Sequence, residues 1–333
     1  MEKQVIITGG AGFIGSHLVD RLLDEGKRHV TVLDNFHANY PKAVKENNLA
    51  RHVGNPLFSI VEGDILDEEV LDRIFSGSEG KAVTVVHLAA LVGVRPSLDN
   101  PTDYHRVNVT GTLKLLEKAR MARISHFILA SSSSVYGDLK EVPWKESATD
   151  LKPISPYAAS KIAAEEFTRV YARLHGLNAT VLRFFTVYGP RQRPDLAIHS
   201  FFRKIDQGLP IQQFGDGGTQ RDYTHVDDIV TGMRGAMDRH LQGPDEQGAF
   251  DIFNLGNSRT VALRDLIGSI ERQLGRKALL EVLPEQAGDV RETHADVEKA
   301  RAGFGYSPVT ELADGLADFQ RWLTASDLER SAD

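Results

Sequence analysis

The sequence predicts an α/β chain in which a doubly wound parallel sheet is joined to a smaller C-terminal α/β unit. Three observations predict it. Short apolar strands alternate with helical stretches through the first half, and a glycine-rich turn joins the first strand to the first helix. After Tyr188 the texture changes, and Gly and Pro cut the chain into short pieces.

The strands come first. Val5–Thr8, Val30–Leu33, Leu57–Val61, Val83–Leu88 and Phe127–Ala130 are near-continuous apolar runs, the kind buried on both faces. Helical stretches Ile14–Leu23, Glu68–Phe75 and Thr112–Ala119 lie between them. Such alternation builds βαβ units with helices on both sides of the sheet. The helix from Pro156 to His175 has Ser155 as its N-cap, Pro156 at its first position and Gly176 at its end. Phe167, Val170, Tyr171 and Leu174 are expected to form its buried stripe.

Beyond Tyr188, residues Gly189, Pro190, Pro194, Gly208, Pro210 and the cluster Gly215–Gly218 separate shorter elements. Residues 1–185 are assigned to a cofactor-binding domain and 186–333 to a substrate-binding unit. Residues 223–258, a helix near Asp227–Asp238 and the strand Phe250–Leu255, are expected to return to the large sheet.

Composition excludes several functions. The formal net charge is −7, so there is no basic footprint for nucleic acid. There are no cysteines, which removes disulfides, thiolate nucleophiles and Cys-ligated metals. The twelve His are scattered without helical pairing, and no metal site is expected. No apolar run approaches the roughly 18 residues of a membrane helix. A charged opening tetrapeptide leads straight into an apolar strand, with no room for a signal peptide, so the expected location is cytoplasmic.

Gly9, Gly12 and Gly15 lie in Thr8–Gly15, between the first strand and the first helix. Missing side chains there allow a tight turn and close approach of a pyrophosphate to a helix N-terminus, as in a Rossmann-type dinucleotide fold. Asp34 ends the second strand, where a carboxylate accepts from the adenosine ribose and repels a 2′-phosphate. NAD is therefore the expected cofactor. Asp64, after the third strand, is placed to reach the adenine edge, although an ordinary turn Asp reads the same way.

Tyr157 and Lys161 stand four apart on the Pro156 helix and share a face. A phenol titrating near pH 10 is a poor base at neutral pH, and a neighbouring ammonium favours its phenolate. The spacing alone occurs by chance in many helices. It gains meaning from Ser131–Ser134 at the end of the fifth strand, where a hydroxyl can meet the Tyr in the crevice at the strand ends.

Together these stretches resemble the extended short-chain dehydrogenase/reductases, in their sugar-nucleotide epimerase and dehydratase branch. The resemblance runs through TGGAGFIG (8–15), LDN (33–35), HLAALVGVRPS (87–97), SSSSVYG (131–137), SPYAASK (155–161), RFFTVYGPRQRP (183–194), FGDGGTQRDYTHVDD (214–228) and AGDVRETHAD (287–296). It spans nearly the whole chain in the family's order. It implies that Tyr157 is the acid/base, Lys161 its electrostatic partner and ribose ligand, and Ser132 the catalytic hydroxyl, with Ser133 and Ser134 able to share the role. It also implies NAD contacts from Phe13, Ile14, Asn35, Asp64, Ile65, Leu88, Ala89, Ala90 and Asn108, and a homodimer paired through the helices at 102–120 and 156–175.

The family's dehydratases place an Asp-Glu pair where this chain has Ser133 and Ser134, and hydroxyls cannot perform that proton transfer. The remaining chemistry is 4-epimerisation. The 183–194 and 87–97 stretches most resemble the UDP-glucuronate 4-epimerases, which implies that Thr186 and Arg193 read the sugar carboxylate. The same resemblance implies that Arg221 binds the diphosphate, that Asp289 meets the nucleotide ribose, and that Ile211 and Gln213 flank the uracil. Val92 and Gln286 stand where UDP-galactose epimerases tend to carry Lys and Arg. A UDP-glucose or UDP-N-acetylglucosamine 4-epimerase is the alternative enzyme. A non-enzymatic NAD sensor is the alternative class, disfavoured by the presence of both Tyr157 and Lys161.

Overall fold

The computed structural model describes residues 3–78, 82–242, 248–284 and 290–332, with backbone alone for 240–242 and 327–332. Asp289 and Gln286 lie outside the described residues.

Seven parallel strands form the main sheet: β1 (Lys3–Thr8), β2 (His29–Asp34), β3 (Phe58–Glu62), β4 (Ala82–His87), β5 (His126–Ser132), β6 (Ala179–Phe184) and β10 (Phe250–Leu255). Their order is β10-β6-β5-β4-β1-β2-β3. The chain starts in the middle, winds outward through β2 and β3, then crosses back to β4. The order therefore reverses between β1 and β4, and ligands bind in the crevice outside the carboxyl ends of strands at such a point. Two small sheets complete the C-terminal part. One contains β7 (Thr186–Tyr188), β9 (Gln220–His225) and β11 (Thr260–Ala262), and the other pairs β8 (Pro210–Phe214) with β12 (Leu279–Leu283).

Adjacent residues on the strands supply opposite cores. Ile7, Val32, Val86 and Ile128 pack on one face, and Ile6, Leu33, Val85 and Phe127 on the other, all essentially inaccessible. Burying each such side chain contributes about 1.5–3 kcal/mol, which is why these strands read as unbroken apolar runs. A third core, with Tyr188, Phe202, Ile267 and Phe319, holds the C-terminal elements together.

The Pro156–His175 helix begins and ends as its sequence predicts. Ser155 Oγ accepts from Ala158 N at 3.1 Å, and Gly176 takes φ +67°. Its buried face differs from the expected one. Phe167, Val170 and Leu174 are exposed at 37%, 44% and 69%, and the sheet is covered instead by Tyr157, Lys161, Ala164, Glu165, Thr168 and Ala172. The strand ends beneath this helix carry polar groups, so its small and polar face packs inward and its large apolar face turns out.

Candidate active site

The glycine turn is built from backbone against backbone. Gly9 has φ +72°, and a Cβ on it would lie 2.8 Å from Ala89 N. A Cβ on Gly15 would lie 2.3 Å from Gly9 O. Gly12 is the N-cap of the Phe13–Glu25 helix, leaving the first helical amides at the mouth of the crevice. Phe13 is buried and Ile14 half-buried behind the turn.

Asp34 closes the turn from β2. Its Oδ2 accepts from Ala11 N at 3.0 Å and its Oδ1 from Phe36 N at 2.8 Å. Each carboxylate oxygen retains a second lone pair. Burial raises its carboxyl above the ordinary value, against these two hydrogen bonds and the charge of Lys45. Asn35 Nδ2 donates to Asp64 Oδ2 at 2.9 Å, joining the ends of β2 and β3. Ile65 packs where a Cβ on Gly111 would be, 2.5 Å from that position.

Leu88, Ala89 and Ala90 follow β4 and are half-buried. Thr8 holds the first two, with Leu88 N donating to Thr8 O at 3.0 Å and Ala89 N to Thr8 Oγ1 at 3.2 Å. Asn108 lies in a π-helical stretch, His105–Gly111, of the kind found at functional sites. Its amide pairs both backbone groups of Leu91, at 2.8 and 2.9 Å, and donates to Ser160 Oγ at 3.0 Å. It thereby ties the loop after β4 to the helix that carries Tyr157.

Ser132, Tyr157 and Lys161 converge at the end of β5. The Ser132 hydroxyl favours the ionised form of the Tyr157 phenol. Ser134 Oγ lies 3.1 Å from Ser132 Oγ, whereas Ser133 is buried in the 3₁₀ turn that follows. Burial pushes the phenol up from its ordinary value, and Ser132 and the charge of Arg193 pull it back. Lys161 lies one turn beyond Tyr157 on the buried face of the same helix. Its Nζ donates to Ala130 O at 2.9 Å, and burial pushes the ammonium down to about 8 while Glu165 resists.

Arg193 reaches this centre from the loop after β7. Its charge acts on Tyr40, Tyr104 and Tyr157, and its guanidinium pairs with Asp195. Thr186 is half-buried on β7, opposite Tyr223 of β9. Arg221, on β9, donates to Gln220 O at 2.8 Å and has no carboxylate partner among the described residues. Gln213 Nε2 donates to Gly215 O at 3.2 Å. Ile211 is wholly buried in the C-terminal core, which corrects the expectation that its side chain flanks a base. Gln213 lies on the same side of β8 but at its end, outside that core and with 8% of its surface exposed.

Sequence reasoning missed several neighbours. Tyr104 packs edge-on against Tyr157, with ring centroids 6.1 Å apart, and nothing in the sequence marks it. Lys45 and Asn48 are buried polar residues beside the glycine turn, Asn48 Nδ2 donating to Ala11 O at 3.0 Å. Their three-residue spacing on one helix face was the available signal. Among the described residues no group of His, Cys, Asp and Glu is arranged to hold a metal ion, and no helix is long and apolar enough to cross a membrane.

A nucleotide-binding turn at a switch point, with a Ser, Tyr and Lys gathered at the strand ends, defines a Rossmann-fold enzyme of the short-chain dehydrogenase/reductase kind. The chain belongs to the NAD dependent epimerase/dehydratase family, whose model matches residues 5–256. It is 42% identical over 330 residues to UDP-glucuronate 4-epimerase 1 of Arabidopsis thaliana, covering 96% of this chain and 76% of the relative. Its fold is similar to that of UDP-glucuronic acid 4-epimerase from Bacillus cereus, solved with UDP-glucuronic acid and NAD. That match has a TM-score of 0.90 and 33% identity, over 97% of this chain and 99% of the other. It is also similar to UDP-glucose 4-epimerase from Thermotoga maritima, solved with UDP-glucose, at TM-score 0.86 and 34% identity, over 97% and 99% of the two chains.

Proposed function

We propose that this protein is an NAD-dependent UDP-sugar 4-epimerase whose substrate is UDP-glucuronate and whose product is UDP-galacturonate. The observation that carries the substrate is electrostatic. Arg193, a guanidinium suited to a sugar carboxylate, acts on the Tyr157 phenol, as Ser132 does.

The residues present fit NAD. Side chains on Gly9 and Gly15 would collide with the backbone that shapes the tight turn a pyrophosphate needs, and Asp34 offers buried acceptors for a ribose. Phe13, Ile14, Asn35, Asp64, Ile65, Leu88, Ala89, Ala90 and Asn108 complete the proposed cofactor site, with Lys161 on the second ribose. When bound, NAD supplies the acceptor for the C4 hydride and returns it.

The chain's own groups manage the proton and the sugar. Tyr157 takes the proton of the sugar 4-hydroxyl as the C4–H bond gives up its hydride, leaving a 4-keto sugar. Ser132 keeps a hydrogen bond on the oxygen that gains or loses charge. After the keto-sugar turns over and the hydride returns to the opposite face of C4, Tyr157 gives the proton back to the C4 oxygen. Thr186 and Arg193 hold the carboxylate through this rotation, and Arg221 holds the diphosphate. Asp289 is proposed for the nucleotide ribose, and Gln213 for the uracil. Residues 1–185 with 223–258 make the cofactor side and the remainder the sugar-nucleotide side, a division supported by the parallel pairing of β10 with β6.

The protein is further proposed to be a homodimer. Support comes from the outward face of the Pro156–His175 helix, where Phe167, Val170 and Leu174 lack a cover within one chain.

UDP-glucose is the second reading, favoured by one observation: Asp195 already neutralises Arg193, so a neutral sugar leaves no charge unpaired. Incubating purified protein with UDP-glucuronate, UDP-glucose and UDP-N-acetylglucosamine, without added NAD, and identifying the products separates the two. Turnover of the neutral sugars alone would discard the glucuronate assignment.

A further inference from the structure

Below the Ser-Tyr-Lys centre lies a charged group that the reaction as described does not use. Glu165 is one turn beyond Lys161 on the same helix face and only 1% exposed. Its carboxylate accepts from Arg183 Nε at 3.0 Å and Nη2 at 2.7 Å, and from the hydroxyl of Ser131. Arg183 is itself 2% exposed and lies over the Tyr136 ring at 4.9 Å. Ser131 and Arg183 are direct partners across β5 and β6. One carboxylate thus joins the active-site helix to the ends of both strands.

Lys161 has a problem that this group addresses. It is 5% exposed, and its hydrogen bond goes to a neutral carbonyl, Ala130 O. A buried ammonium without a counter-charge gives up its proton. The groups facing it can be named. From β4 comes His87, which burial pushes down to about 3 and which hydrogen-bonds Thr8 and Thr112, so it is neutral. From its own helix come the neutral phenol of Tyr157 and the carboxylate of Glu165. Glu165 is the charge that supports the ammonium, and burial is what opposes it.

We propose that Glu165 and Arg183 together set the charge on Lys161: the carboxylate is its counterion, and the guanidinium, by sharing that carboxylate, limits the support. Both are positioning residues that act through Lys161. The proposal rests on the reading above only in taking the charge of Lys161 as important to turnover.

The pair makes a signed prediction. Glu165→Gln removes the counterion and leaves the guanidinium, so Lys161 loses its proton at lower pH. Arg183→Met releases the whole carboxylate to Lys161, so the proton is held to higher pH. Close charges of this kind move a titration by about one to three pH units. The test is a titration of the Lys161 ε-carbon resonance in full-length protein labelled with ¹³C-lysine, assigned with Lys161→Arg. The alkaline limb of kcat against pH is measured alongside.

Opposite shifts in the two variants are expected in both measurements. Midpoints that stay put, or that move in the same direction, would overturn the proposal, even if both variants unfold at lower temperature. Should either single variant fail to fold, Glu165→Gln/Arg183→Met replaces the ion pair with a neutral one. Its midpoint is expected below that of the unaltered protein, and an unchanged midpoint overturns the idea. Because the resonance reports Lys161 directly, shifts seen in a protein that does not turn over UDP-sugars would refute the functional reading alone.

Discussion

Arg193 grips Asp195 through two parallel hydrogen bonds, Nε to Oδ1 at 3.0 Å and Nη2 to Oδ2 at 2.7 Å. This is the fork by which a guanidinium reads a carboxylate. Asp195 is largely exposed, at 58%, and returns to water at little cost. A sugar carboxylate therefore takes the fork by exchange. Arg193→Ala is expected to raise KM for UDP-glucuronate far more than for UDP-glucose, by about 2–5 kcal/mol of recognition. A 4-keto group β to the carboxylate favours loss of carbon dioxide, so the variant should also release a UDP-pentose. Asp195→Asn should lower KM for UDP-glucuronate alone. Equal effects on acidic and neutral sugars would move the neutral-sugar reading to first place.

Tyr157→Phe should fold, keep its cofactor and lose turnover by roughly 100- to 10,000-fold, the usual size of a general acid/base contribution. Single-turnover rates and thermal melts check this together. Ser132→Ala should cost less, since Ser134 Oγ is 3.1 Å from the lost hydroxyl. Near-normal turnover by the Phe variant would mean that the proton goes elsewhere.

Hydride returned in every cycle leaves no net redox change. Denatured protein is expected to release NAD, and activity to need no stoichiometric oxidant. Absorbance at the NADH band during turnover is the measurement. A steady rise matched to product would identify a dehydrogenase instead.

The glycine turn gives a pair of contrasting variants. A Cβ at Gly15 meets backbone, 2.3 Å from Gly9 O, and neither side can yield without reshaping the turn. Gly15→Ala should abolish cofactor retention. At Gly26, φ is +63° with nothing within 4 Å. Gly26→Ala should cost about 1–2 kcal/mol of stability, the price of a left-handed residue, and leave the NAD content unchanged. Melting curves and the cofactor released on denaturation separate the two effects.

Charges placed on the exposed helix face test the dimer. Phe167→Asp with Leu174→Asp should give a folded monomer by light scattering, where the unaltered protein gives twice that mass. A monomer before any substitution would remove the assembly.

By itself the sequence determined the βαβ alternation, the glycine turn, the caps of the Pro156 helix and the meeting of Ser132 with Tyr157. Each depends on local spacing or on a residue's own backbone preference, and these survive without knowledge of neighbours. It also determined the family, because the motifs lie in order along the chain. Tertiary structure alone decided which face of the Pro156 helix is inside. Hydrophobic pattern marks Phe167, Val170 and Leu174 as a stripe but cannot say whether sheet or partner covers it. It decided that Ile211 belongs to a core, since alternation gives a side of a strand without naming what lies there. It decided two contacts at the site, Tyr104 on Tyr157 and Arg183 on Glu165. Those exist only because β5, β6 and two helices end at the same place, and no local pattern encodes that meeting.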